Sequence, residues 1–210
     1  MSMASSRALK TINALDQHRT ALAACRLCGH QGIVPIVSEA VGARVMLVGQ
    51  APGKVESSGG RPFAGRAGRT LFQWLAEAGV DEATVRAKIY IAAVTRCYPG
   101  PSPSGRGDRV PGPRERELCR RWLDAELQII RPEVIIPVGR LAIDLFLPAA
   151  SLDSVIGREH RTEHAGGESV VIPLPHPSGA SSWIHLPGHR ALLQDALAHL
   201  RVRLADLLYL

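Results

Sequence analysis

The sequence predicts an α/β fold: a three-layer α/β/α sandwich around a short, mainly parallel, four-stranded central sheet. Three observations carry that expectation. Four short apolar runs recur along the chain, and stretches of helical periodicity lie between them. The runs are apolar at successive positions rather than alternating, as strands are when both faces of a sheet are covered. Strand–helix alternation of this kind packs helices on both sides of a parallel sheet.

The elements follow in order. A helix over 7–24 leads the chain. Arg44 to Gly49 is the first apolar run and ends in glycine. Ala67 to Ala78 places Leu71, Trp74, Leu75 and Ala78 on one helical face, and Gly79 supplies the stop. Lys88 to Thr95 is the second strand. Tyr98 to Pro113, rich in Pro, Gly, Ser and Arg, reads as an exposed loop. Arg114 to Ile130 carries Leu118, Trp122, Leu123 and Leu127 at helical spacing and stops before Pro132. Glu133 to Gly139 is the third strand, Leu141 to Phe146 a helix, Ser169 to Leu174 the fourth strand, and Arg190 to Leu208 the closing helix. No internal repeat is visible, and 1–210 reads as a single domain.

Composition narrows the class. With 210 residues and 46% hydrophobic content, the chain can bury a sizeable core, which excludes a disordered, fibrous or disulfide-scaffold protein. No window holds the ~20 apolar residues of a membrane span. Met1 to Lys10 lacks the apolar core of a secretory signal, so a cytoplasmic, membrane-free monomer is expected. Lys and Arg total 25 against 19 Asp and Glu, and only Lys10, Lys54 and Lys88 are lysines. Arginine forks suit phosphate oxygens, which points to nucleic acid, although an arginine-rich ordinary enzyme has the same balance.

The cysteines are Cys25, Cys28, Cys97 and Cys119. Cys25-Arg-Leu-Cys28 is a C-x2-C pair at a helix end, Cys97 closes the second strand, and Cys119 lies early in the next helix. Structural disulfides are rare in the cytoplasm, so four thiolates around a metal or cluster are expected. Composition does not choose between zinc and an iron–sulfur group, since both accept four thiolates. Three loops at carboxyl ends of predicted strands would share one crevice: Gly49-Gln50-Ala51-Pro52-Gly53, Arg96-Cys97-Tyr98-Pro99 and Pro175-His176-Pro177-Ser178. The first is not a phosphate-binding P-loop, because no Gly-Lys-Ser/Thr follows it.

Taken in order, these motifs resemble the uracil-DNA glycosylase superfamily, and within it the family 4 enzymes. The matching residues are Cys25-x2-Cys28, Val48-Gly-Gln-Ala-Pro-Gly53, Gly60-Arg-Pro-Phe-Ala-Gly-Arg-Ala-Gly68, Tyr90-Ile-Ala-Ala-Val-Thr-Arg-Cys97, Arg109-Val-Pro-Gly-Pro-Arg-Glu115, Val138-Gly139 and His176-Pro-Ser178. The resemblance spans about Ala23 to Arg203. It implies a [4Fe–4S] cluster on the four cysteines, with Zn2+ as the alternative, and excision of uracil or other deaminated bases from DNA. It also implies roles: His176 at the leaving base, Gln50 at the water, and Phe63 stacked on the flipped base. Ala51, Pro52, Gly53, Ala93 and Ser178 would line the base site, and Arg96 and Arg109, with Arg106 and Arg114 nearby, would neutralise phosphates. Trp183 falls where relatives insert a wedge into the duplex.

Two departures bear on activity. Family 4 members carry glutamate where this chain has Gln50, and glutamine holds water without taking its proton. They carry asparagine where this chain has Ala93, and alanine there resembles family 5 enzymes with broader base acceptance. Losing such an amide contact costs ~1–3 kcal/mol of base discrimination. Glu56, the carboxylate between Gly53 and Phe63, is expected in solvent, with water orientation as the alternative. Some relatives trap the abasic sugar through a histidine before the last cysteine. No histidine lies between Cys97 and Cys119, where Asp108 is nearest to that position, so no such adduct is expected. A catalytically weak or inactive lesion-binding module and a glycosidase for a free nucleoside or nucleotide are the rival functions.

Overall fold

The computed structural model describes residues 3–28, 38, 40, 42–104, 107–178 and 182–209. In chain order its elements are α1 (Met3–Ala23), β1 (Val45–Gly49), α2 (Lys54–Gly59), α3 (Arg66–Glu77), α4 (Glu82–Lys88), β2 (Ile89–Ala93) and α5 (Pro113–Ile130). There follow β3 (Val134–Pro137), α6 (Arg140–Phe146), α7 (Leu152–Val155), β4 (His160–His164), β5 (Gly167–Val171), a 3-10 turn at Trp183–His185, and α8 (His189–Leu208). The strands pair in the order β2–β1–β3–β5–β4. β1 is parallel to both β2 and β3, and β3 is parallel to β5.

Period-two alternation divides the apolar runs between two cores. Val45, Leu47, Ile89, Ile91, Val134 and Ile136 face the side covered by α3, α4 and α8. Met46, Val48, Tyr90, Ala92 and Ile135 face the side covered by α1, α5 and α6. This is the expected three-layer arrangement, reached because every strand residue of β1 and β3 is buried.

The expected four strands become five among the described residues. The addition, β4, pairs antiparallel with β5 at the sheet edge. Its sequence, His-Arg-Thr-Glu-His, is polar because an edge strand needs no apolar face on its open side. The Tyr98–Pro113 stretch also differs from an open loop. Ser102 N–H donates to Gly107 O at 3.0 Å and Arg109 N–H to Gly100 O at 2.9 Å, which makes a narrow antiparallel ribbon. Among the described residues no helix is long and apolar enough to cross a membrane.

Candidate active site

Parallel strands end at one edge of the sheet, and there a cavity of about 490 Å³ opens. Its wall takes Gln50, Ala51, Pro52 and Gly53 from the loop after β1, Ala93 from the end of β2, and Val138 from just beyond β3. His176 and Ser178 enter from the segment after β5, and Phe63 from the link between α2 and α3. Residues far apart in sequence therefore share one chamber.

Two glycines let its side chains approach. A β-carbon on Gly49 would lie 2.8 Å from Phe63 Cζ, and one on Gly139 would lie 2.8 Å from His176 Cδ2. Phe63 itself has φ 52°, a left-handed conformation uncommon for an aromatic residue. The Arg86 guanidinium braces that turn by donating to Pro62 O at 2.9 Å and to Phe63 O at 3.4 Å.

His176 is oriented by its own loop. Ser178 N–H donates to His176 Nδ1 at 3.3 Å, and Ser178 Oγ lies 2.9 Å from the same nitrogen. A backbone N–H only donates, so Nδ1 accepts and the neutral ring carries its hydrogen on Nε2. Burial holds the imidazole below its ordinary 6.5, which favours that neutral form.

The charged residues depart from expectation in several places. Glu56, expected in solvent, is only 9% exposed, and its Oε1 accepts from Gly65 N–H at 2.9 Å at the start of α3. Arg96, expected at a phosphate, is 2% exposed and ion-pairs with Glu126 inside the protein. Glu126 also accepts from Tyr90 Oη at 2.8 Å and from His18 Nε2 at 3.1 Å, so a charge needing a partner became an internal strut. Arg109 donates to Pro99 O at 2.7 Å and pairs with Glu115 at 2.7 Å, which locks the ribbon onto α5. Arg114 is exposed at the start of α5, and Arg106 lies outside the described residues.

Trp183, expected as a wedge, is 9% exposed; its Nε1 donates to Asp153 at 2.6 Å, and its ring packs on His189. An indole so packed cannot enter a duplex without unfolding its surroundings. Among the described residues of that segment, Leu186 is an exposed large apolar side chain, at 51%. Lys54 and Arg66, exposed side chains in the wall of the chamber, were also not singled out by the sequence. Their signal was available: both flank the Pro-Gly and Phe-Ala-Gly turns.

The four cysteines line a second cavity with Leu22, Leu27, Leu118 and Trp122. Burial and the neighbouring Cys119, Cys28 and Cys25 push the Cys97 thiol up to about 12. Burial pushes Cys119 up to about 11. A bound cation would favour the thiolate form of such thiols. Among the described residues, no group of three or more His, Cys, Asp or Glu side chains is drawn together tightly enough for a single ion. Four thiols around one cavity are a donor set that both zinc and an iron–sulfur cluster accept. Arg96 walls both cavities.

Comparison with known proteins agrees with this geometry. A type-4 uracil-DNA glycosylase of Thermotoga maritima is 35% identical over 135 residues, 64% of this chain and 65% of that protein. One from Archaeoglobus fulgidus is 33% identical over 175 residues, 80% of this chain and 83% of its own. A third, from Sulfurisphaera tokodaii, is 30% identical over 165 residues, covering 76% and 69%. Residues 36–201 match the family described as the uracil DNA glycosylase superfamily, and to that superfamily the chain belongs.

Proposed function

We propose that the protein, acting as one domain and as a cytoplasmic monomer, is a DNA glycosylase that hydrolyses the N-glycosidic bond of uracil or another deaminated base and leaves an abasic site. The observation that carries this is the chamber where the Gln50 loop, Phe63, Ala93 and His176 meet beyond the strand ends.

A base inside a duplex is reached by flipping it into a pocket, and the chamber has the volume for one. Phe63 supplies a face for the base to stack on. Bond cleavage leaves negative charge on the departing base and positive charge on the sugar. His176, neutral with its hydrogen on Nε2, donates to the base oxygen as that charge develops. Gln50 holds the water through its amide. Ala93 offers no hydrogen bond to the base edge, which supports acceptance of more than one deaminated base. Lys54 and Arg66 at the chamber wall suit phosphates, in place of the buried Arg96 and the clamped Arg109.

Cys25, Cys28, Cys97 and Cys119 would hold a [4Fe–4S] cluster. Bound there, it would tie together the segment after α1, the segment after β2 and α5, and would supply no electron to the hydrolysis.

The test is a panel of labelled oligonucleotides carrying uracil, hypoxanthine or xanthine, single-stranded and in each mismatch, treated with protein and then alkali. Breaks at several lesions are expected from Ala93. Breaks at uracil alone would mean that the backbone suffices for selectivity. No breaks, with the protein folded, would leave a lesion-binding module. His176→Ala is expected to lower release about tenfold or more while the fold survives.

A further inference from the structure

Hydrolysis turns a water into a hydroxyl on the sugar, so a proton must leave that water, and the Gln50 amide cannot take it. Among the described residues of the chamber wall, the carboxylates are Glu56 and Asp108. Both look onto Gly53: a β-carbon built there would lie 2.7 Å from Glu56 Oε2 and 2.9 Å from Asp108 Oδ2. Their settings differ. Glu56 is buried and caps Gly65 N–H. Asp108 is exposed, on a ribbon whose next residue is clamped twice, through Arg109 N–H on Gly100 O and through its guanidinium on Pro99 O and Glu115. The clamp fixes the ribbon that carries Asp108, the Tyr98 hydroxyl meets its carboxylate, and the side chain stays exposed to water.

We propose that Asp108 is a catalytic residue, the general base that takes the proton of the attacking water. This rests on the glycosylase reading above. In the step, the C1′–N bond breaks and its electron pair leaves with the base, whose charge is met by His176. The water oxygen bonds to C1′, and its proton passes to the Asp108 carboxylate. Asp108 then releases that proton to solvent, and the base takes one from solvent. The exposed position matters, because the base must be reset at each turnover.

Asp108→Asn keeps the shape of the side chain and removes its basicity. With the full chain and a uracil-containing oligonucleotide under single-turnover conditions, release is expected to slow by about 10²-fold or more. Binding to the same oligonucleotide carrying a stable abasic-site analogue should be unchanged. Asp108→Glu should recover part of the rate. Release at the wild-type rate by Asp108→Asn, with the wild type active, overturns this proposal alone. Loss of rate and binding together overturns it too, since that is a structural role. If the wild type releases no base from any lesion, the glycosylase reading fails and the proposal falls with it.

Discussion

Replacing Gly139 with alanine tests whether the turn after β3 is shaped to admit the histidine. Gly139 has φ 83° and ψ 163°, a region essentially reserved for glycine. Another residue held there costs about 1–3 kcal/mol. The new methyl group would lie 2.8 Å from His176 Cδ2 and 3.2 Å from Cβ, about half an ångström inside ordinary contact at the nearer atom. Relief comes from moving the imidazole away from Ser178. A displacement near 1 Å at a reacting group can cost about 10²-fold, so a shift of half that should cost about tenfold. For a chain of this size, 1–3 kcal/mol lowers Tm by about 2–12 °C. Thermal unfolding by circular dichroism and single-turnover release from a uracil oligonucleotide measure the two effects separately. An alanine variant with the wild-type Tm and rate would refute both the strain and the crowding.

Three other outcomes follow from named contacts. Glu126→Gln leaves the Arg96 charge buried without its counter-ion, and urea unfolding should show a loss of about 3–5 kcal/mol. Trp183→Phe removes the Nε1 bond to Asp153, so stability should fall by about 1 kcal/mol. Fluorescence anisotropy with lesion DNA should find the binding of that variant unchanged; a large loss would restore Trp183 as a wedge. Burial lowers the folded-state pKa of His176 and of His164 below 6.5, so the unfolded chain binds protons first as pH falls. The stability from these two groups is therefore complete above the ordinary histidine range and declines as pH drops through it. An NMR titration placing His176 above 6.5 would reverse that sign.

Much of the architecture is legible in local pattern. Continuous apolar runs at Val45–Gly49, Ile89–Ala93 and Val134–Pro137 mark strands covered on both faces, because burial on both sides removes the polar alternation. The helical stripe of Leu71 and Leu75 marks α3. The same pattern logic overlooks β4, since an edge strand of His, Arg, Thr and Glu satisfies its backbone without any apolar signature. It also passes over α2 and α4, whose short lengths carry too few turns for a periodicity to show.

The layered sheet, the set of four cysteines and the order of motifs that end in His176 can be read along the chain, because strand burial and turn chemistry are properties of neighbours in the chain. Which way charged and aromatic side chains face is set by folding. Arg96 looks like a phosphate contact until Glu126, on a distant helix, claims it inside the protein. Glu56 looks solvated until Gly65 N–H meets it. Trp183 looks like a wedge until Asp153 receives its indole N–H. In each case the free energy of a polar or aromatic group is set by its partner and its solvent access, and the chain brings those partners together only by folding.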